Sequence, residues 1–145
     1  MSKDKVYSGL TASIPVRSRG QRGDFPLRVI VCGGRDYDDY EHVCKTLDGW
    51  RVSFPHIVVI HGNARGADSL ADRWAKERGV KSWPVPAQWK RDGRKAGPLR
   101  NRRMLGMSPD VVIAFPGGRG TGDMIRQAEA AGVTVHKALQ SEGAQ

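Results

Sequence analysis

Residues Ala114–Met124 read AFPGGRGTGDM, an apolar run that breaks into Gly117, Gly118 and Gly120 just before a helical pattern begins. Glycines remove side chains, so backbone N–H groups can approach an anion. Thr121 is set to cap the helix that follows, whose N-terminus carries partial positive charge. A phosphate or a ribose suits such a turn. A plain strand-to-helix turn also uses glycine, because glycine is conformationally permissive. A second turn of the same kind, HGNARGAD, supplies His61, Gly62, Ala64, Gly66, Ala67 and Asp68 ahead of another helix. A third short stretch is GGRD, with Gly33, Gly34, Arg35 and Asp36 after an earlier apolar run. The repetition favours a phosphate or ribose site, with Pro116 at its edge.

Basic residues concentrate between Arg73 and Arg103, where the only acids are Glu77 and Asp92. Arg100 is expected in the first turn of a helix opened by Pro98, with Arg102 and Arg103 close behind. Cations there oppose the helix dipole, and a bound anion would reverse that penalty. Arg100 and Asn101 are therefore the pair expected to face a ligand. Lys90, Arg91, Arg94 and Lys95 are expected to form a mobile basic loop over the mouth. Trp89, in the same loop, either stacks on a base or packs against the edge of the sheet. If the site is catalytic, its acid is Asp36, Asp68 or Asp123. His42, His56, His61 and His136 are dispersed and have no ligand-spaced partners, so neither a metal nor a cofactor is expected.

These residues need a scaffold, and the hydrophobic pattern supplies one. LRVIVCGG is a short apolar run ending in glycine, as a buried strand does. Tyr40, Val43, Cys44, Leu47 and Trp50 form one helical stripe, and Ala67, Leu70, Ala71, Trp74 and Ala75 form another that Gly79 stops. HIVVIHGNARG is a strand and turn, and VKSWPVPA is an edge strand marked by Pro84 and Pro86. QWKRDGRKAG reads as a polar loop, Pro98 as the first residue of a helix through LRNRRMLGM. DVVIAF and VTVHKAL are further strands, flanking a helix striped by Met124, Ile125, Ala128 and Ala131. Strands alternating with helices imply an α/β, Rossmann-like fold: a parallel sheet of about five strands with helices on both faces. In such a sheet ligands bind beyond the carboxyl ends of the strands. The unusual residues all collect there.

With 145 residues and 39% hydrophobic content, the chain can build one real core. Residues 1–26 read as a flexible basic arm, 27–140 as the nucleotide-binding domain and 141–145 as a disordered tail. No apolar run is long enough to span a bilayer and no apolar signal segment is evident, so a cytoplasmic protein without a membrane partner is expected. Cys32 and Cys44 read as small core residues, and a bridge between them is left open. The net charge of +9 and a pI near 10.1 favour an anionic partner, or serve solubility alone.

HGNARGADSLADRWAKERG, PAQW, AGPLRNRRM and FPGGRGT, in that order, resemble the YspA-type (cpYpsA-related) branch of the SLOG superfamily. That superfamily includes the Lonely Guy phosphoribohydrolases and the DNA-processing protein DprA. The resemblance covers about Leu27 to Leu139 and implies a Rossmann-like nucleotide-binding fold. Lonely Guy enzymes carry PGGxGTxxE and an upstream arginine in an RKxxM context. Here Arg100 and Met104 match that context, Asn101 replaces its lysine, and Pro116–Thr121 match the glycine motif. Met124 stands where the glutamate would be. A methionine can neither stabilise a cationic sugar nor activate water.

The resemblance implies, first, a protein that binds a nucleotide or a nucleotide-derived signal, such as an ADP-ribose derivative or a cyclic nucleotide. It would act as a sensor or a sequestering sponge in bacterial defence or phage anti-defence. The alternatives are a nucleotide phosphoribohydrolase, or a related N-glycosidic hydrolase, and a nucleic-acid-binding protein similar to DprA. Salt-sensitive binding would mark the last. Assembly into at least a homodimer is also implied.

Overall fold

The computed structural model describes residues 26–139; the proposed arm up to residue 25 and the tail beyond 139 lie outside the described residues. Five strands form one sheet: β1 (Leu27–Cys32), β2 (Ile57–His61), β3 (Lys81–Pro84), β4 (Val111–Ala114) and β5 (Thr134–Lys137). Their order is β3-β2-β1-β4-β5, and every pairing is parallel. The register sets Val29 beside Val59 and Val111, and Ile30 beside Ile60 and Val112. The expected α/β, Rossmann-like sheet is what the chain forms.

Parity along each strand divides the core. Val29, Val31, Val59 and Ile113 face α1 (Tyr40–Ser53) and α2 (Ala67–Glu77), packing with Leu47, Trp50 and Trp74. Ile30, Cys32, Ile60 and Val112 face α4 (Ala96–Leu105) and α5 (Arg119–Ala130), packing with Met104, Met124 and Ala128. Burial on both faces explains why the central strands are apolar throughout and do not alternate with polar residues. Asp39 starts α1 by accepting a bond from the His42 amide at 3.0 Å. At the end of α2, the amides of Gly79 and Val80 return to the carbonyls of Lys76 and Ala75, a closure that satisfies orphan acceptors.

Several local expectations are corrected. The polar stretch before Pro98 is helical: α3 (Trp89–Asp92) runs into a 3-10 turn (Gly93–Lys95) and then directly into α4. Pro98 is thus the third residue of α4, where its missing N–H still falls among the unpaired donors of a first turn. The helix starts earlier because Ala96 is fully buried. Arg100 consequently sits in the second turn, with helical turns ahead of it. Ala131 drops out of the α5 stripe, because Gly132 at φ 76° closes the helix. Cys32 and Cys44 are both free thiols. No described helix is long and apolar enough to cross a membrane.

Candidate functional site

The chain runs from β1 outward through β2 and β3, then returns to lay β4 on the other side of β1. The carboxyl ends of β1 and β4 therefore diverge, and such a switch point leaves a crevice. A cleft of about 910 Å³ occupies it. That is near the upper end of the roughly 300–1,000 Å³ typical of small-molecule sites.

The end of β1 contributes Gly33, Gly34, Arg35 and Asp36, and the turn after β2 contributes Ala64 and Asp68. Trp89, Arg100 and Asn101 come from the α3–α4 segment. The turn after β4 gives Pro116, Gly117, Gly118, Gly120 and Thr121, and α5 gives Asp123. These residues of the sequence-predicted site converge on one space.

The glycine turn is built by close backbone contact. The Gly34 amide donates to the Pro116 carbonyl at 2.8 Å, and a Cβ on Gly117 would run into the Gly34 amide and Thr121 Oγ1. Gly118 and Gly120 differ, for a Cβ on either would meet nothing within 4 Å. Their missing side chains leave room in the cleft at the N-terminus of α5. Gly118 is the residue that precedes that helix, with no side-chain cap. Thr121 is therefore not the cap: it is the third helical residue and is buried, with its hydroxyl beneath Gly117.

Arg100 reaches across the cleft. Its Nη1 donates to the Gly62 carbonyl at 2.6 Å and its Nε to Asn101 Oδ1 at 3.0 Å. Among the described residues no carboxylate lies in ion-pair distance of this guanidinium. Burial lowers its affinity for the proton, and the Asp68 charge partly offsets that. Asn101 in turn donates to Asp123 Oδ2 at 2.9 Å and to the Gly120 carbonyl at 3.3 Å, while Gln127 donates to the same Asp123 oxygen at 2.8 Å. Arg100 is thus fixed by a chain of bonds ending in α5.

The candidate acids have different settings. Asp36 is almost wholly exposed and pairs with Arg65 at 3.2 Å. Asp68 is buried, and one of its oxygens accepts from the Gly62 and Ala64 amides at 3.0 and 3.3 Å. Burial pushes its carboxyl above the usual range, while the Ala64 amide and Arg100 pull it back. Asp123 lines the cleft but is held by two amides. Met124 is completely buried among Ile30, Met104 and Val112. It belongs to the core.

Four candidates lie away from the main cleft. His61 turns toward α2: Nε2 sits 3.2 Å from Asp72 and 3.1 Å from Ser82, while Nδ1 accepts from the Asn63 amide at 3.0 Å. Gly62 supplies the carbonyl that Arg100 binds, and the absence of a side chain there leaves space for the guanidinium. Gly66, at φ 80°, lies against the Gly34 carbonyl and the Arg35 backbone, where a Cβ would collide. Ala67 is buried against Gly33. His61, Gly66 and Ala67 shape the turn from beneath, while Gly62 lines a smaller hollow beside it.

The cleft also holds residues that the sequence did not single out. Tyr37 packs on Phe115 with ring centroids 5.5 Å apart, and its buried hydroxyl has no partner. Burial, with Asp39 and Asp38 nearby, pushes this phenol up to about 12. Arg119 and Arg126 join Arg35, Arg100 and Arg94, the last already expected at the mouth, on the wall. The spacing of Arg119, Asp123 and Arg126 puts them on one face of α5, a signal the sequence carried. Cys32 forms part of the floor, its thiol pushed by burial up to about 12 and so neutral. The basic segment is a short helix, with Arg35 over the Trp89 ring at 5.5 Å. Among the described residues no group of His, Cys, Asp and Glu could hold a metal ion.

Residues 27–91 match the family described as YspA, cpYpsA-related SLOG. Gene 61 protein of Mycobacterium phage D29 is 41% identical over 116 residues, covering 74% of this chain and 93% of its own length. The chain belongs to the YspA, cpYpsA-related SLOG family. Solved structures share the fold at low identity. TM1055, a structural-genomics target, aligns at a TM-score of 0.58 and 19% identity, over 75% of this chain and 72% of its own. The Moco carrier protein from Chlamydomonas reinhardtii aligns at 0.52 and 20%, over 81% and 78%. In this SLOG chain Arg100 and the glycine turn at Pro116–Thr121 line one cleft.

Proposed function

We propose that this SLOG chain binds a nucleotide or a nucleotide-derived signalling molecule, as a sensor or a sequestering sponge. The observation that carries the reading is Arg100: a half-buried guanidinium with no carboxylate in ion-pair distance among the described residues, fixed opposite a glycine turn whose Gly118 and Gly120 faces are open. Burying a cation is unfavourable unless an anion completes its surroundings. Helix N-termini and guanidinium forks both suit phosphate. An ADP-ribose derivative or a cyclic nucleotide, met in the cytoplasm, fits such a site. The relative in phage D29 makes a sponge against nucleotide-based defence the favoured form of the proposal.

Incubation with a panel of nucleotides and ADP-ribose isomers, separation of bound from free, then denaturation and chromatography tests it. One compound should be depleted and recovered intact. A panel from which nothing is retained overturns the proposal. Release of free base would instead favour an N-glycosidic hydrolase, for which Asp123 is the cleft-facing acid nearest Arg100's network. We also propose assembly into at least a dimer; a sedimentation mass of one chain refutes that.

A further inference from the structure

A second hollow of about 350 Å³ adjoins the main cleft, between the turn after β2 and the start of α3. Arg35, Ala64, Trp89 and Arg100 line both spaces, so the two are lobes of one site. The smaller lobe adds Gly62, Asn63, Arg65 and Ala87. It carries three guanidinium groups and no carboxylate among its lining residues. Trp89, half exposed with Arg35 over its ring, stands at the boundary and presents a flat apolar face.

We infer that the site takes a ligand with two separate anionic groups, one at the glycine turn and one in the arginine lobe, with a planar ring on Trp89 between them. This inference rests on the nucleotide-binding reading and names its ligand class: a linear dinucleotide or a nucleotide with a second, distant phosphate. The main cleft alone is large enough for a mononucleotide. The arginine lobe has no function in that case, although Arg35, Arg65 and Arg100 converge on it. Exposed Asp36 pairs with Arg65 and buried Asp68 acts on Arg100 without pairing with it, so an anion in the lobe relieves the repulsion left among the three guanidiniums.

The test measures affinities of the full chain for 5′-AMP, with one phosphate, and for the linear dinucleotide pApA, with two phosphates a ribose apart. Arg65 lines the small lobe and not the main cleft, and its side chain is largely exposed, so Arg65→Ala leaves the core intact. Wild type should bind pApA more tightly than AMP. Arg65→Ala should weaken pApA by about tenfold, as loss of a charge-assisted contact does, and leave AMP unchanged. If AMP binds but pApA gains nothing, or Arg65→Ala weakens both ligands equally, the two-lobed site is overturned and nucleotide binding stands. If wild type binds neither, the nucleotide reading falls and takes this inference with it.

Discussion

Arg100 Nη1 lies 2.6 Å from the carbonyl oxygen of Gly62, a residue 38 positions earlier in the chain. A Cβ on Gly62 would sit against that guanidinium and 2.9 Å from Asp68 Oδ2. Gly62→Ala should therefore displace Arg100 and weaken nucleotide binding without removing any charge. Arg100→Lys should do the same, because an ammonium cannot keep both the Gly62 and the Asn101 bonds in the fork geometry. Loss of a charged hydrogen-bonding contact predicts roughly ten- to hundredfold weaker binding for each. Calorimetric titration checks both, and wild-type affinity in Arg100→Lys would mean that the guanidinium plays no special part.

Gly120 offers the opposite case. A methyl there meets open cleft and no protein atom, in the first turn of α5. Gly120→Ala should hold or raise stability, by up to about 1 kcal/mol, since glycine is a poor helix residue. The same methyl should obstruct an anion approaching the turn. Thermal melts and ligand titrations should thus move in opposite directions.

Met124, where the resemblance to Lonely Guy enzymes would put a glutamate, lies wholly inside the core. Met124→Glu should not create a hydrolase. It should lower the unfolding free energy by roughly 3 kcal/mol or more through burial of a carboxyl without partners. Met124→Leu, which keeps the volume, should cost less than about 1.5 kcal/mol. Chemical denaturation reads both, and free base released by a stable Met124→Glu protein would reverse the assignment.

Asp68 gives a pH dependence. Its carboxyl is raised in the fold, chiefly by burial. The folded state therefore binds this proton more readily than the unfolded chain. The ionised group costs stability above its folded pKa, and that cost disappears as pH falls through it toward the ordinary aspartate value of roughly 3.9. Both backbone amides address a single oxygen, which an asparagine can supply. Asp68→Asn should match or exceed wild-type stability at pH 7, with the difference shrinking in acid. Asp68→Ala should lose about 1–3 kcal/mol by orphaning the amides. Denaturation at several pH values separates these outcomes.

The sheet was legible because Val29–Cys32, Ile57–Ile60 and Val111–Ala114 are apolar without interruption, and glycine ends the strands where function begins. The helical turn from Trp89 to Asp92 was not, since it buries no side chain and so writes no stripe. His61 is instructive. Strand parity puts it with Ile57 and Val59, on the α2 face and away from the cleft. Counting by twos would have separated it from Ala64 and Asp68. Thr121 misled because a threonine before an apolar run resembles a cap, whereas the backbone at Gly118 ends the turn alone. Tyr37 carries no sequence signal, for its place depends on how the loop after β1 folds onto Phe115.

The tryptophans are unevenly placed. Trp50 and Trp74 are sealed in the core, and Trp83 is half-buried near the Arg28 guanidinium, 5.4 Å away. Trp89 is 51% exposed where the two lobes meet. The chain therefore carries its own optical gauge. The long-wavelength edge of its fluorescence comes from Trp89 and should shift or quench when the site fills. In Trp89→Phe the remaining emission should be blind to ligand, which would tell occupancy apart from any wider rearrangement of the core.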